Sequence, residues 1–410
     1  MSASSTASNT GYFIDLENEY SAHNYHPLPV VLKEGKGVFV YDVEGKKYYD
    51  FLSAYSAVNQ GHCHPKIIAA LIEQAKKLTL TSRAFHSEQL SLFSKYITGY
   101  FNYDKVLPMN TGAEAVETAL KLCRHWGYRV KNIEENKAKI IVCKGNFHGR
   151  TISIISFSTD SNAKKDFGPY TPGFETIPYN DLPALAKALQ DENVAGFLVE
   201  PIQGEAGVNV PDENYLSKAK QYCSDANVLF IADEIQTGLC RTGKMLCCDH
   251  ENVRPDILIL GKALSGGTMP VSAVLADDEI MLTIQPGEHG STYGGNPLAS
   301  KIAMAALEVL KEEDLAANAE TLGNFFREEL KKLDLPHILE IRGKGLLNAI
   351  VIDHNDKNAA WNLCLELKNN GLLAKQTRGN IIRFAPPLVI TKEQISHCVR
   401  IIQESLQVLQ

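Results

Sequence analysis

The chain has no apolar run approaching the ~20 residues that a membrane-spanning helix needs, so a transmembrane protein is not expected. It also lacks a basic stripe. Its 41 lysines and arginines are scattered among 48 acidic residues, leaving a net charge of -7 and nothing to track a phosphate backbone, so nucleic acid is not an expected partner. No G-x-G-x-x-G stretch suggests a dinucleotide. The opening MSASSTASNT has neither the positive n-region nor the apolar h-region of a secretory signal. The first Lys or Arg is Lys33, preceded by Asp15, Glu17 and Glu19, unlike an Arg-rich transit peptide. The expectation is a soluble cytosolic chain, or one of the mitochondrial matrix if a presequence has been removed. Nine cysteines, an odd number, suit reduced thiols better than a disulfide scaffold. Neither Cys240, Cys247, Cys248 and His250 nor His62, Cys63 and His64 have the paired spacing of a zinc site, and no metal is expected. The stretch GLCRTGKM, Gly238 to Met245, has P-loop spacing, but Met245 stands where a hydroxyl must reach magnesium.

What is present is a long chain, 410 residues and 44% apolar, able to bury a large core. Val38–Asp42 and Lys46–Tyr49 flank a glycine turn and read as a hairpin. A helix is expected from Pro65 to Leu78, and another from Gly112 to about Tyr128. Short apolar runs without clean alternation then recur at 138–143, 194–199, 228–232, 257–260 and 271–276, as strands covered on both faces should. Helical stretches at 182–190 and 214–226 lie between them. This is the pattern of an α/β parallel sheet, whose ligands gather at the carboxyl ends of its strands. Helices at 297–310 and 316–333 lead into further strands and a terminal α+β unit. Ser158–Asp166 reads as a polar surface loop with no assigned role.

Two of these strands end in charge: VLFIADEIQTG delivers Asp233, and PDILILGKALSGG delivers Lys262, at one rim of the sheet. They could be a buried ion pair, which is often no more stabilising than an apolar pair. Alternatively, an amine kept uncharged by burial and nearby cations is a nucleophile for imine chemistry. Pyridoxal phosphate would need an acid against its ring nitrogen, a stacking partner and donors for its phosphate. Asn110–Ala113 stand between a strand and a helix start, an anion site by free N–H groups and helix dipole. Phe147 and His148 could stack on a ring, and Arg150 could fork onto a carboxylate. Glu200 and Glu205, in VEPIQGEAG, could tie down an arginine when no anionic substrate is present.

Long motifs accompany these residues: AHNYHPLPV, YSAVNQGHCHPKI, TLTSRAF, VLPMNTGAEAVETA, VEPIQGEAGV, LFIADEIQTG, RPDILILGKALSGG, PGEHGSTYGGNP, RGKGLLNAIVI and IIRFAPPLVI. With them the chain resembles, from about Ser21 to its end, the class III or ω-aminotransferases of the fold type I pyridoxal-phosphate enzymes, and among these the members that use ornithine. The resemblance implies a mostly parallel seven-stranded sheet in a large cofactor-binding domain at 46–296, an N-terminal arm and the start of the small-domain region at 1–45, and an interdomain helix with a smaller C-terminal α+β domain at 297–410. It implies Lys262 as the Schiff-base lysine and proton shuttle, Asp233 against the pyridine nitrogen, Gln236 at the phenolic oxygen and Phe147 on the ring. Thr111, Gly112 and Ala113 would hold the phosphate, together with Ser291 and Thr292 lent by the other subunit of a homodimer. Glu200 and Ile235 complete the expected cofactor set. Tyr25 would meet the α-amino group of L-ornithine, Arg150 its α-carboxylate, and Tyr55 would line the same pocket. Arg383 would bind 2-oxoglutarate or glutamate, with Glu205 masking it while ornithine is bound.

His148 departs from the tryptophan that relatives often carry there. An imidazole retains a planar contact and adds a titratable group, with consequences for cofactor affinity or pH dependence. The competing expectations are a related enzyme acting on N-acetylornithine or 4-aminobutyrate, another reaction on the same cofactor, or a non-catalytic scaffold that kept the fold.

Overall fold

The computed structural model describes residues 9–333 and 337–409. The opening segment read above for targeting lies, through residue 8, outside them. A seven-stranded sheet organises the large unit in the order Lys105–Met109, Ser272–Ala276, Ile257–Leu260, Leu229–Asp233, Val194–Val199, Lys139–Cys143 and Phe174–Ile177. The last five of these are mutually parallel, whereas Ser272–Ala276 runs antiparallel to both of its neighbours. That reversal brings its first residue, Ser272, to the same rim as the ends of Lys105–Met109 and Ile257–Leu260. The sequence pattern had grouped 271–276 with the parallel strands, because burial on both faces looks the same in either direction. The edge strand Phe174–Ile177, only partly buried, gave no apolar run to find.

Strand alternation divides the sheet's side chains between two cores. Ile257 and Ile259 pack with residues of the helix Gly112–Arg129, whereas Leu258 and Leu260 join the large core that includes the helix Pro297–Glu312. All four are fully enclosed, each contributing about 1.5–3 kcal/mol by burial. Among the described residues no helix is long and apolar enough to cross a membrane. All nine cysteines are free, and only Cys63 is exposed.

The termini fold together. Leu32–Lys36, Phe39–Asp42 and Lys47–Asp50 form a meander that Leu372–Leu373 extends in parallel. A second antiparallel sheet has the order Ile338–Lys344, Leu347–Ile352, Ile381–Phe384, Lys375–Thr377. The expected boundary at 45/46 falls inside the hairpin, and we infer that the terminal unit takes in Lys47–Asp50 as well. Arg241, fully buried, stitches the units: it donates to Asn59 Oδ1 and to the carbonyls of Leu346 and Pro386. Ser158–Asp166 is not wholly loop, since Asp160 caps a short helix at Ser161–Lys164 and pairs with Arg378 at 3.3 Å.

Candidate active site

At the carboxyl rim of the sheet lies a cavity of about 210 Å³ into which several strand ends deliver side chains. Lys262 follows the strand Ile257–Leu260 and Gly261, with its backbone in the left-handed region at φ 44°. Strain of that kind persists where surrounding structure over-determines it, and it clusters at functional positions. Burial pulls the Lys262 amine below its ordinary range and Arg383 adds to this, while Glu205, Asp233 and Glu200 oppose it. Among the described residues no ion pair joins Lys262 to Asp233. Asp233 instead receives a 2.6 Å hydrogen bond from His148 Nδ1, with both side chains buried.

The His148 ring nitrogen is thus engaged by the Asp233 carboxylate, a polar contact that the sequence reading did not foresee, while the residue still lines the cavity. Burial lowers the imidazole's proton affinity, but the Asp233 hydrogen bond and charge outweigh it and favour the cation. Glu200, at the end of Val194–Val199, accepts from the Phe147 N–H at 2.9 Å. Burial pushes its carboxyl up to about 8; His148 counters this and Asp233 adds to it.

The anion site forms at the start of the helix Gly112–Arg129. Thr111 is its N-cap, with a reciprocal Glu114 capping box that consumes the Thr111 N–H and the Asn110 N–H. The next two N–H groups, of Gly112 and Ala113, have no partner within the helix and belong to residues lining the cavity. Thr111 faces an adjoining cavity of about 470 Å³ that also borders Lys262. Ile235 packs beneath both glycines: a Cβ on Gly112 would come 3.1 Å from its Cδ1, and one on Gly261 3.3 Å from its Cγ2.

Glu205, which lines the cavity with Lys262, accepts at Oε1 from Arg383 Nη1 at 2.5 Å. Burial raises the Glu205 carboxyl, but Arg383 and then Lys262 outweigh it and keep it below its ordinary range. Gln236 Nε2 also donates to Glu205, at 3.1 Å. The Arg383 guanidinium stands 5.2 Å from the Tyr55 ring centre. Tyr55 lies in a turn, Ser53–Ser56, whose four residues all have positive φ, at a cost of about 1–2 kcal/mol per residue. Asp50 holds this turn by accepting from the N–H groups of Leu52 and Ser53, and His62 holds Asp50 at 2.7 Å. No glycine announces such a turn, and the sequence reading missed both Asp50 and His62.

The remaining expected residues stand further out. Tyr25, exposed, lines a neighbouring cavity of about 430 Å³ with Tyr55. Arg150 is exposed beside Phe147, 5.6 Å from that ring's centre, and lines neither cavity. Ser291 Oγ accepts from the chain's own Asn110 Nδ2 at 3.0 Å, and Thr292 is exposed.

The fold is that of the fold type I pyridoxal-phosphate-dependent transferases, and the site has the parts such an enzyme needs. Buried polar atoms left without partners, His148 Nε2, Gln236 Oε1 and Arg383 Nε, show a polar site built for more than its own side chains. Pyridoxal phosphate fits these residues: N–H groups for a phosphate, an aromatic ring, an acid below and an amine of lowered proton affinity. The chain belongs to the class-III aminotransferase family, whose model matches residues 20–406. It is 63% identical to the mitochondrial ornithine aminotransferase of Rattus norvegicus over 96% of this chain and 90% of that one. The crystal structure of the Toxoplasma gondii ornithine aminotransferase superposes with a TM-score of 0.96 at 50% identity, covering 98% of this chain and 96% of the other. An acetylornithine aminotransferase from Elizabethkingia anophelis is 60% identical with a TM-score of 0.90, covering 98% and 100%.

Proposed function

We propose that this aminotransferase moves the δ-amino group of L-ornithine to 2-oxoglutarate in two half-reactions, giving glutamate 5-semialdehyde and L-glutamate. The observation that carries this reading is the Glu205–Arg383 pair, whose Glu205 lines the cavity together with Lys262. A diamino acid and a dicarboxylate must use one site in turn, and a masked arginine lets them do so. With Glu205 on Arg383, the site offers no carboxylate receptor on that side, so ornithine enters by the end that lacks a carboxylate, the δ-amine, with Arg150 and Tyr25 taking the far end. When 2-oxoglutarate arrives, its carboxylate takes Arg383 and Glu205 yields.

Bound pyridoxal phosphate supplies an aldehyde that captures the amine and a ring that withdraws electrons from the adjacent carbon. Gly112 and Ala113 would hold the phosphate, Phe147 would cover the ring, and Asp233, fixed by His148, would keep the ring nitrogen protonated. Lys262 Nζ, its proton affinity lowered, would take the proton from the carbon bearing the transferred nitrogen and deliver it to the cofactor carbon on the other side of that nitrogen. The semialdehyde cyclises to pyrroline-5-carboxylate unaided, which ties the enzyme to proline and arginine metabolism.

We place Ser291 and Thr292 in the phosphate site of a second subunit, which makes a homodimer the minimum active unit; an active monomer by light scattering would contradict this. The reading for location is cytosol, or the mitochondrial matrix where a presequence is removed. A second reading, use of N-acetylornithine, is favoured by the 60% identity to the Elizabethkingia anophelis protein. Comparing kcat/KM for the two donors decides between them: the proposal expects ornithine to be preferred, and preference for N-acetylornithine overturns it.

A further inference from the structure

We propose that Thr377 and Arg342 are positioning residues that clamp the backbone on which the Glu205 side chain turns, and thereby set the choice between amine donors. The inference rests on the gating role given to Glu205 above. Glu205 sits in a tight turn closed by the Gln203–Asn209 bridge and by Gly207 and Val208 N–H groups on the Gly204 carbonyl. Gly207 and Val208 both have positive φ, and a Cβ on Gly207 would come 2.4 Å from Ile381 Cδ1, so the turn has little room to move.

The small-unit sheet grips this turn at three places. Thr377 Oγ1, from one edge strand, donates to the Glu205 carbonyl at 2.7 Å. Arg342, from the opposite edge strand, donates to the Gly207 carbonyl through Nε at 2.9 Å and Nη2 at 2.7 Å, while Glu340 steadies its Nη1 at 2.8 Å. Arg383, from the strand paired with that of Thr377, holds the Glu205 carboxylate itself. Two grips are on backbone and one is on a side chain. Only the side-chain grip, with the Gln236 contact beside it, can be released without breaking the contact between the units. An incoming carboxylate can therefore displace Glu205 from Arg383 while the turn and the sheet stay in register. Turning one unit against the other would break the Thr377 bond and both Arg342 bonds as well.

The clamp also places the Glu205 carboxylate where it competes best for Arg383. Thr377→Val keeps the side chain's shape and loses the hydroxyl, so Arg383 should become easier to capture. Calorimetry with glutarate, a five-carbon dicarboxylate that cannot react, reads this directly on the holoenzyme. The expected result is binding about three- to tenfold tighter than in the wild type, the worth of one hydrogen bond. The ratio of kcat/KM for ornithine to that for glutamate as donor should fall by a similar factor, and Thr377→Ser should restore both. Arg342→Lys, which loses the two-point grip and keeps the charge, carries the same expectation if Thr377→Val does not fold. Unchanged glutarate affinity and donor ratio, or equal slowing of both donors, would overturn the clamp. A wild-type enzyme indifferent to ornithine would instead refute the functional reading, so the two failures are distinguishable.

Discussion

Two adjacent carboxyls, Asp233 and Glu234, leave the end of one strand for different surroundings. Asp233 meets His148 below the cavity. Glu234 is fully buried on its own, accepting from the Thr237 hydroxyl at 2.5 Å and the Cys248 N–H at 2.8 Å, and burial pushes its carboxyl up to about 7 despite those donors. Because the folded value lies above the ordinary 4.5, the protonated form is favoured in the native state. Its contribution to stability is complete below about 4.5 and is lost as pH rises through about 7. Glu234→Gln should remove this dependence, and denaturant titrations of the two proteins at pH 4.5 and 8 should diverge by roughly 2–4 kcal/mol. His148 makes a charge-assisted bond in a dry site. Replacing it with Phe should weaken cofactor retention roughly tenfold to a hundredfold, read by absorbance titration of the apoprotein. Unchanged retention would mean that Asp233 needs no support. The sequence marked His148 as unusual but did not reveal its partner, because residue order alone does not say that the imidazole after Phe147 meets Asp233, 85 residues on.

At the scale of elements, small residues let the helix Gly112–Arg129 lie close to the sheet. A Cβ on Gly196, in the strand Val194–Val199, would come 2.5 Å from Cys123 Sγ of the helix Gly112–Arg129, and one on Gly127 would come 2.9 Å from Ala195 Cβ. Gly196→Ala should therefore cost about 1–3 kcal/mol by overpacking. It should also weaken cofactor binding, since the helix start is displaced with the helix; thermal unfolding with and without cofactor separates the two effects. The long central helices and buried strands were legible because their periodicity and apolar runs are strong. The left-handed turn presenting Tyr55 was not, since Ser-Ala-Tyr-Ser carries no conformational signal and is imposed by Asp50 and His62.

At the scale of the molecule, chain order hides the assembly of the small unit. Lys47–Asp50 and Leu372–Leu373 pair although more than three hundred residues separate them, a contact that no local pattern announces. The same unit reaches across to hold the Glu205 turn; Thr377 stands in no motif, and RGKGLLNAIVI, which Arg342 opens, carries no sign that its side chain grips that turn. The charged residues at strand ends, by contrast, were readable because a parallel sheet sends its carboxyl ends to one rim. The central claim concerns what passes through that rim. Stoichiometric L-ornithine added to the holoenzyme should bleach the visible band of the bound cofactor, and 2-oxoglutarate should restore it. A band that ornithine leaves intact while N-acetylornithine bleaches it would contradict the account.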